Sequence, residues 1–267
     1  MRPTFIPIPC CLLLALSAGM GDAIAIEHYE GLAYAKNSGK LLYRESHWIQ
    51  DKKQRLVLYR CPDGAAFARK RVVGSGPAPD FELVDGRDGY REGIRTRNGM
   101  REVYTLTSAV ATEQTRPLFQ GNSLVIDAGF DAYARQHWDA LEKTEFRTEP
   151  RRVRFLVPSR LESIDFQLTP LVGDANNRRY RLALDAWYSG ILPTITITIT
   201  VTVTVTVTYA AAYQRLVRFE GIGNLRGNDG RHPAIRIEFP ANKRTTASLA
   251  DVANAARMPL VKACVTS

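Results

Sequence analysis

Hydrophobic and polar positions alternate with a period of two over most of this chain. Between residues 55 and 61, Leu56 and Leu58 alternate with Val57 and Tyr59. In "RRVRFLV", residues 151–157, Val153, Phe155 and Val157 point one way and Arg152 and Arg154 the other. Successive side chains of a strand lie on opposite faces, so the second run reads as a half-buried strand with a basic outer face. Turn residues separate these runs into hairpins. Segments 26–35 and 40–50 flank Asn37-Ser38-Gly39, 55–61 and 66–73 flank Pro62-Asp63-Gly64, and 92–97 and 100–107 flank Asn98-Gly99. Asn-Gly is the strongest of these signals, because both residues accept positive φ. Further on, 161–171 and 178–187 flank "GDANN", and 214–220 and 233–239 flank a Gly-rich turn. Residues 74–79 read as a loop and 84–93 as turn-rich.

One stretch changes period. After Asp127, a plausible N-cap, Phe130, Tyr133, Ala134, His137, Trp138 and Leu141 fall on one stripe at helical spacing. Asp131, Arg135, Asp139 and Glu142 occupy the other face. Residues 246–257 are Ala-rich and predict a short C-terminal helix. The expected fold is therefore mainly β, of the α+β class. It is a strongly curved antiparallel sheet or half-barrel of serial hairpins, packed on one long helix and ending in a short one. Phe130, Tyr133, Trp138 and Trp187 are the candidates to line a cavity on its concave face, although core packing is the ordinary role of such rings.

Residues 194–208, "TITITITVTVTVTVT", carry the alternation to an extreme, with every Thr on one face and every Ile or Val on the other. As one strand the segment would run about 50 Å at roughly 3.3 Å per residue, well beyond ordinary strands. The reading adopted is a short strand lengthened by slippage in a coding repeat. Insertions of two residues preserve the alternation and so spare the fold. About six residues suffice for the strand, and the remainder is expected to overhang. A functional long edge strand and a Thr ladder for an ordered surface are the alternatives.

The first residues predict export. Arg2, the apolar run at residues 11–18 and the small-x-small triplet Ala23-Ile24-Ala25 form a secretory signal with cleavage after Ala25. The apolar run is too short to span a bilayer, and no transmembrane span is expected after cleavage. The remainder, 26–267, reads as one β-rich domain of the periplasm or the secreted medium. Arg2 and Asp22 cancel, so the net charge of +9 belongs to the processed chain. A basic surface favours anionic partners. No run of Lys or Arg exceeds three residues, so a solvated face is the reading adopted for this charge, and export argues further against nucleic acid.

Of the four cysteines, Cys10 and Cys11 lie in the signal; Cys61 and Cys264 remain, and an oxidising compartment allows them to pair. Two free thiols are the alternative. His28, His47, His137 and His232 show no metal-ligand spacing, and there is no HExxH or GxSxG motif. "GIGNLRG", residues 221–227, has the wrong spacing for a dinucleotide loop and reads as turn chemistry. No catalytic, metal or cofactor residue is nominated.

The strings "YEGLAYAKNSGKLLYRESH", "CPDGAAFARKRV", "APDFELVDGRDGYREG", "VIDAGFDAYARQHWDAL", "FLVPSRL" and "RLVRFEGIGNLRGNDG…IRIEFP" resemble a family of uncharacterised exported bacterial proteins. The resemblance covers about residues 28–240, leaving 241–267 as a C-terminal extension. It implies a short strand in place of the repeat and no catalytic residue, since the family carries no assigned activity. The general plan is loosely similar to the half-barrels of periplasmic lipid and lipoprotein carriers. The function expected from these readings is non-catalytic binding of a lipid or other amphiphile in the concavity. The alternatives are an envelope structural or interaction protein without a small ligand, and a periplasmic hydrolase.

Overall fold

A computed structural model of the chain describes residues 26–51, 53–119, 124–142, 150–184, 204–227 and 230–265. The expected signal, Trp187 and residues 194–203 of the repeat lie outside the described residues. Among those described, sixteen strands form one open, curved sheet. The first arm comprises β1 (Ile26–Ala35), β2 (Leu41–Gln50), β3 (Gln54–Arg60), β4 (Ala66–Val73), β5 (Asp80–Asp85), β6 (Arg91–Arg97), β7 (Met100–Leu106) and β8 (Gln114–Pro117). The second comprises β9 (Leu124–Val125), β10 (Arg151–Val157), β11 (Glu162–Leu171), β12 (Asn177–Leu184), β13 (Thr204–Ala210), β14 (Arg215–Ile222) and β15 (Ala234–Glu238). Each arm is laid down in chain order, because local turns join its neighbours. The arms meet where β1 pairs with β15 through Leu32–Ala35 and with β16 (Arg244–Ala247) through Ile26–Tyr29. All pairings are antiparallel except β9 with β10.

The local chemistry accounts for the turns. Asn98 and Gly99 both take positive φ, 52° and 77°, as a tight hairpin requires. Strand β5 fills residues 80–83, which the sequence pattern leaves unassigned, and takes in the first two residues of the stretch read as turn-rich. Its residues nevertheless alternate, with Phe81, Leu83 and Asp85 buried and Asp80, Glu82 and Val84 less so.

The expected single helix is a correction. Asp127–Gly129 form one 3-10 turn, α1 runs Phe130–Gln136, and α2 runs Trp138–Glu142. The break is at His137, whose ψ of 14° leaves the helical range and whose ring Nδ1 lies 2.9 Å from the Tyr133 carbonyl. A side chain competing for the carbonyl four residues back is a known cause of helix distortion. The apolar stripe survives the break: Phe130, Tyr133, Trp138 and Leu141 are buried in one cluster with Val153, Leu168, Leu182 and Val207 of β10–β13. Asp127 is not an N-cap, since no side-chain cap bond forms there. Gly129 holds the entry to α1 against the 74–79 loop. A Cβ on it would come 1.9 Å from the Pro77 carbonyl oxygen, so only glycine fits.

The first arm is covered on both faces. Val57, Tyr59, Phe67, Leu83 and Val103 belong to the main core on the concave side. On the convex side Ile26, Trp48, Leu56, Leu58 and Ala66 are sealed by the C-terminal extension, whose helix α3 (Leu249–Arg257) buries Ala255 against them. Ser248 and Asp251 form a capping box at its start. Beyond α3, the Val261 amide donates to the Ala66 carbonyl at 2.8 Å. A disulfide joins Cys264 to Cys61, with a Cα–Cα distance of 5.5 Å.

The described part of the repeat is an ordinary inner strand. β13 is paired along its length with β12 and over residues 206–210 with β14, which excludes an edge position for it. The expected overhang falls outside the described residues.

Candidate functional site: a cavity on the concave face

The curvature of the sheet encloses a cavity of about 330 Å³ between the arms. Its two sides differ in chemistry, and strand register explains why. On the first arm, inward positions line up in one cross-sheet row: Arg244 opposite Tyr29, Tyr29 opposite His47, His47 opposite Val57, Val57 opposite Lys70, Lys70 opposite Leu83, and Leu83 opposite Glu92. The row from Arg244 to Lys70 borders the cavity, and Glu45, Arg55 and Tyr59 flank it. On the second arm the inward residues are mostly apolar, with Arg215 at the start of β14 the charged exception. Phe155, Phe166, Leu182, Val205, Val207 and Phe219 form the facing wall, completed by Phe130 of α1. The rings of Phe130, Phe155 and Phe166 pack with centroids 5.5–5.6 Å apart.

The polar side is built from pairs. His47 Nε2 lies 2.9 Å from the Glu45 carboxylate, and both side chains are buried. The Tyr29 ring stacks on His47 at 4.5 Å with a 7° interplanar angle, and the Arg244 guanidinium lies 4.5 Å from the centroid of the same Tyr29 ring. Burial holds His47 below the ordinary imidazole value of 6.5, and Glu45 only partly offsets this. The imidazole is therefore neutral at pH 7.

Lys70 is almost fully buried and donates to Asp127 Oδ2 at 2.6 Å; the Asn224 amide donates to the same oxygen at 3.2 Å. Asp127 lines the cavity, and its side chain is 63% accessible. Burial alone would raise its pKa, but Lys70 and then Arg55 and Asn224 overcome that and lower it. Lys70 is raised: burial opposes its charge, and Asp127 outweighs burial. Burial pushes the Tyr59 hydroxyl up to about 12. Arg55 donates to the Ala128 carbonyl, which ties β3 to the turn carrying Asp127.

At the boundary of the cavity, where side chains are partly solvated, three arginines stand beside the carboxylates Glu27 and Asp131. Arg244 and Arg215 share one carboxylate, Glu27, at 2.8 and 3.6 Å. Arg135 is paired with Asp131 at 2.6 Å.

Comparison with protein-family models and with curated proteins finds no match. The site is accordingly read from its own chemistry.

Of the sequence-nominated wall residues, Phe130 borders the cavity. Tyr133 and Trp138 are buried behind it, with Trp138 edge-on to the cavity residue Tyr209 at 6.0 Å. Trp187 lies outside the described residues. The polar row was missed. The signal available was Glu45 and His47 at positions of the same parity as Tyr43 and Ile49. "GIGNLRG" is turn chemistry: Ile222 ends β14, Asn224 reaches Asp127, and Leu225 enters the core. Among the described residues, no group of three or more His, Cys, Asp and Glu side chains is placed to hold a metal ion. No helix among them is long and apolar enough to cross a membrane.

Proposed function

We propose that the protein is an exported, non-catalytic binding protein that holds a lipid or other amphiphile in the concavity of its sheet. The observation that carries this reading is the cavity itself. Its volume falls within the range of roughly 300–1,000 Å³ typical of small-ligand sites, and one wall is built mainly of apolar side chains. The polar groups on the opposite wall are bonded in pairs, Glu45 with His47 Nε2 and Lys70 with Asp127, and we assign them to holding the wall in register rather than to bond-making. Export rests on the signal read at residues 1–25 and on the resemblance to exported bacterial proteins.

The test is uptake of a fluorescent fatty acid or phospholipid by delipidated protein. Saturable, one-to-one uptake is expected. Absence of uptake, together with a stoichiometric protein partner recovered from envelope extracts, would instead favour an envelope interaction protein.

A further inference from the structure

The charge at the cavity boundary specifies the ligand further. Resting on the amphiphile reading above, we propose that the ligand is a single-chain amphiphile with an anionic carboxylate head, seated against Arg215 and Arg244 with its chain along the phenylalanine wall.

Three observations converge on this assignment. First, Arg215 and Arg244 compete for a single carboxylate, Glu27, which leaves one positive charge in excess at that point. Arg244 reaches Glu27 by a direct hydrogen bond, while Arg215 stands off at 3.6 Å. A guanidinium without its own carboxylate is suited to a bidentate anion. Second, both arginines border the cavity while keeping partial exposure, 45% for Arg215 and 17% for Arg244. A head group there stays in contact with water while its chain does not. Arg135, the other boundary arginine, is already matched by Asp131. Third, the arginines and the apolar wall are contiguous in the fold. Arg215 begins β14, the strand that also supplies Leu216 and Phe219 to the cavity. A chain leaving the head group therefore meets Phe219, Val207 and Phe155 without crossing the polar wall. At about 330 Å³ the cavity lies at the small end of its class, which suits one chain rather than two.

Glu27 occupies the place of the head group when no ligand is bound, as an internal stand-in for a carboxylate. This gives the proposal a test that misfolding cannot imitate. Binding of cis-parinaric acid, a fluorescent C18 fatty acid, is measured on the processed, delipidated protein, with octadecanoic acid, octadecanol and octadecylamine as competitors. Octadecanoic acid should displace the probe about tenfold better than the alcohol, and the amine should be poorest. Arg244→Gln should weaken binding of the probe about tenfold and Arg215→Gln about threefold, the smaller effect reflecting greater exposure. Glu27→Gln should strengthen it, because the rival carboxylate is gone. Equal displacement by acid, alcohol and amine, or weaker binding by Glu27→Gln, would overturn the head-group assignment while leaving the amphiphile reading intact. Failure of every C18 chain to bind would overturn both. Octadecyl phosphate displacing the probe far better than octadecanoic acid would overturn the carboxylate in favour of a phosphate head.

Discussion

Lys70 and Asp127 carry opposite charges in unlike surroundings, and this asymmetry can be measured. The Lys70 side chain is 6% exposed, whereas Asp127 opens onto the cavity. Breaking a fully buried pair by removing one partner costs about 3–5 kcal/mol, because the other charge is left uncompensated. Lys70→Met leaves Asp127 where cavity water can hydrate it, while Asp127→Asn leaves an ammonium enclosed. Urea unfolding should therefore show Asp127→Asn to be the more damaging; the reverse order would mean that the Lys70 environment is wetter than its burial indicates. His47 gives a pH-dependent counterpart. Its folded pKa is below 6.5 because of burial, so the unfolded chain takes up a proton that the folded chain refuses. Stability from this residue is complete above pH 6.5 and declines as pH falls through that value. Glu92 has the opposite sign: burial raises it above 4.5, so its contribution is lost as pH rises through the folded value. Thermal unfolding from pH 7 to 5 should decline less steeply in His47→Gln than in the parent, with Glu92 common to both; parallel slopes would contradict the assignment. None of these pairs was legible in the sequence. Lys70 and Asp127 are 57 positions apart, and only the curvature of the sheet brings them together.

At the scale of elements, the hairpins were legible because each is fixed by two or three turn residues and a period of two. Strand β5 was not, since Pro77, Pro79 and Asp80 disguise its start. The helical stripe was read correctly as a buried face and incorrectly as one continuous helix, because a competing bond from His137 leaves no mark on hydrophobic spacing. That face is testable: Trp138→Ala should cost about 3–5 kcal/mol in equilibrium unfolding, as expected for a large buried ring. A neutral effect would mean that α2 contributes nothing to the core. The repeat yields the sharper element-scale test. Val205, Val207 and Tyr209 face the cavity, and the intervening Thr residues face away. Deleting residues 200–207 brings Ile197 and Ile199 into the places of Val205 and Val207, so the inward face stays apolar. Deleting 201–207 instead puts Thr200 in the place of buried Val207. The even deletion should fold like the parent and aggregate less, and the odd one should be strongly destabilised. If the even deletion unfolds the chain or abolishes ligand uptake, the segment is more than a lengthened strand.

On the scale of the whole molecule, three long-range ties convert serial hairpins into a vessel. β1 joins the arms, the turn at Pro158–Arg160 packs on β6 and β7 near the opposite end, and the C-terminal extension is clamped to the convex face by α3 and the Cys61–Cys264 disulfide. In the loop-entropy model, a bridge across 203 residues contributes ~5 kcal/mol before strain is counted. The cysteine pair was one of two options in the sequence, and proximity alone could decide between them. The general curvature was legible from hairpins in series. The cavity was not, because its volume depends on how far the second arm stands from the first. The central claim is that this cavity holds an apolar chain in the protein's own environment. Native mass spectrometry of the protein, purified without detergent from the cells that make it, addresses this directly. The expected result is a one-to-one adduct with the mass of a single-chain amphiphile, lost on collisional activation and absent after delipidation. Protein at its bare mass in every preparation, able to take up no chain when one is offered, would contradict it.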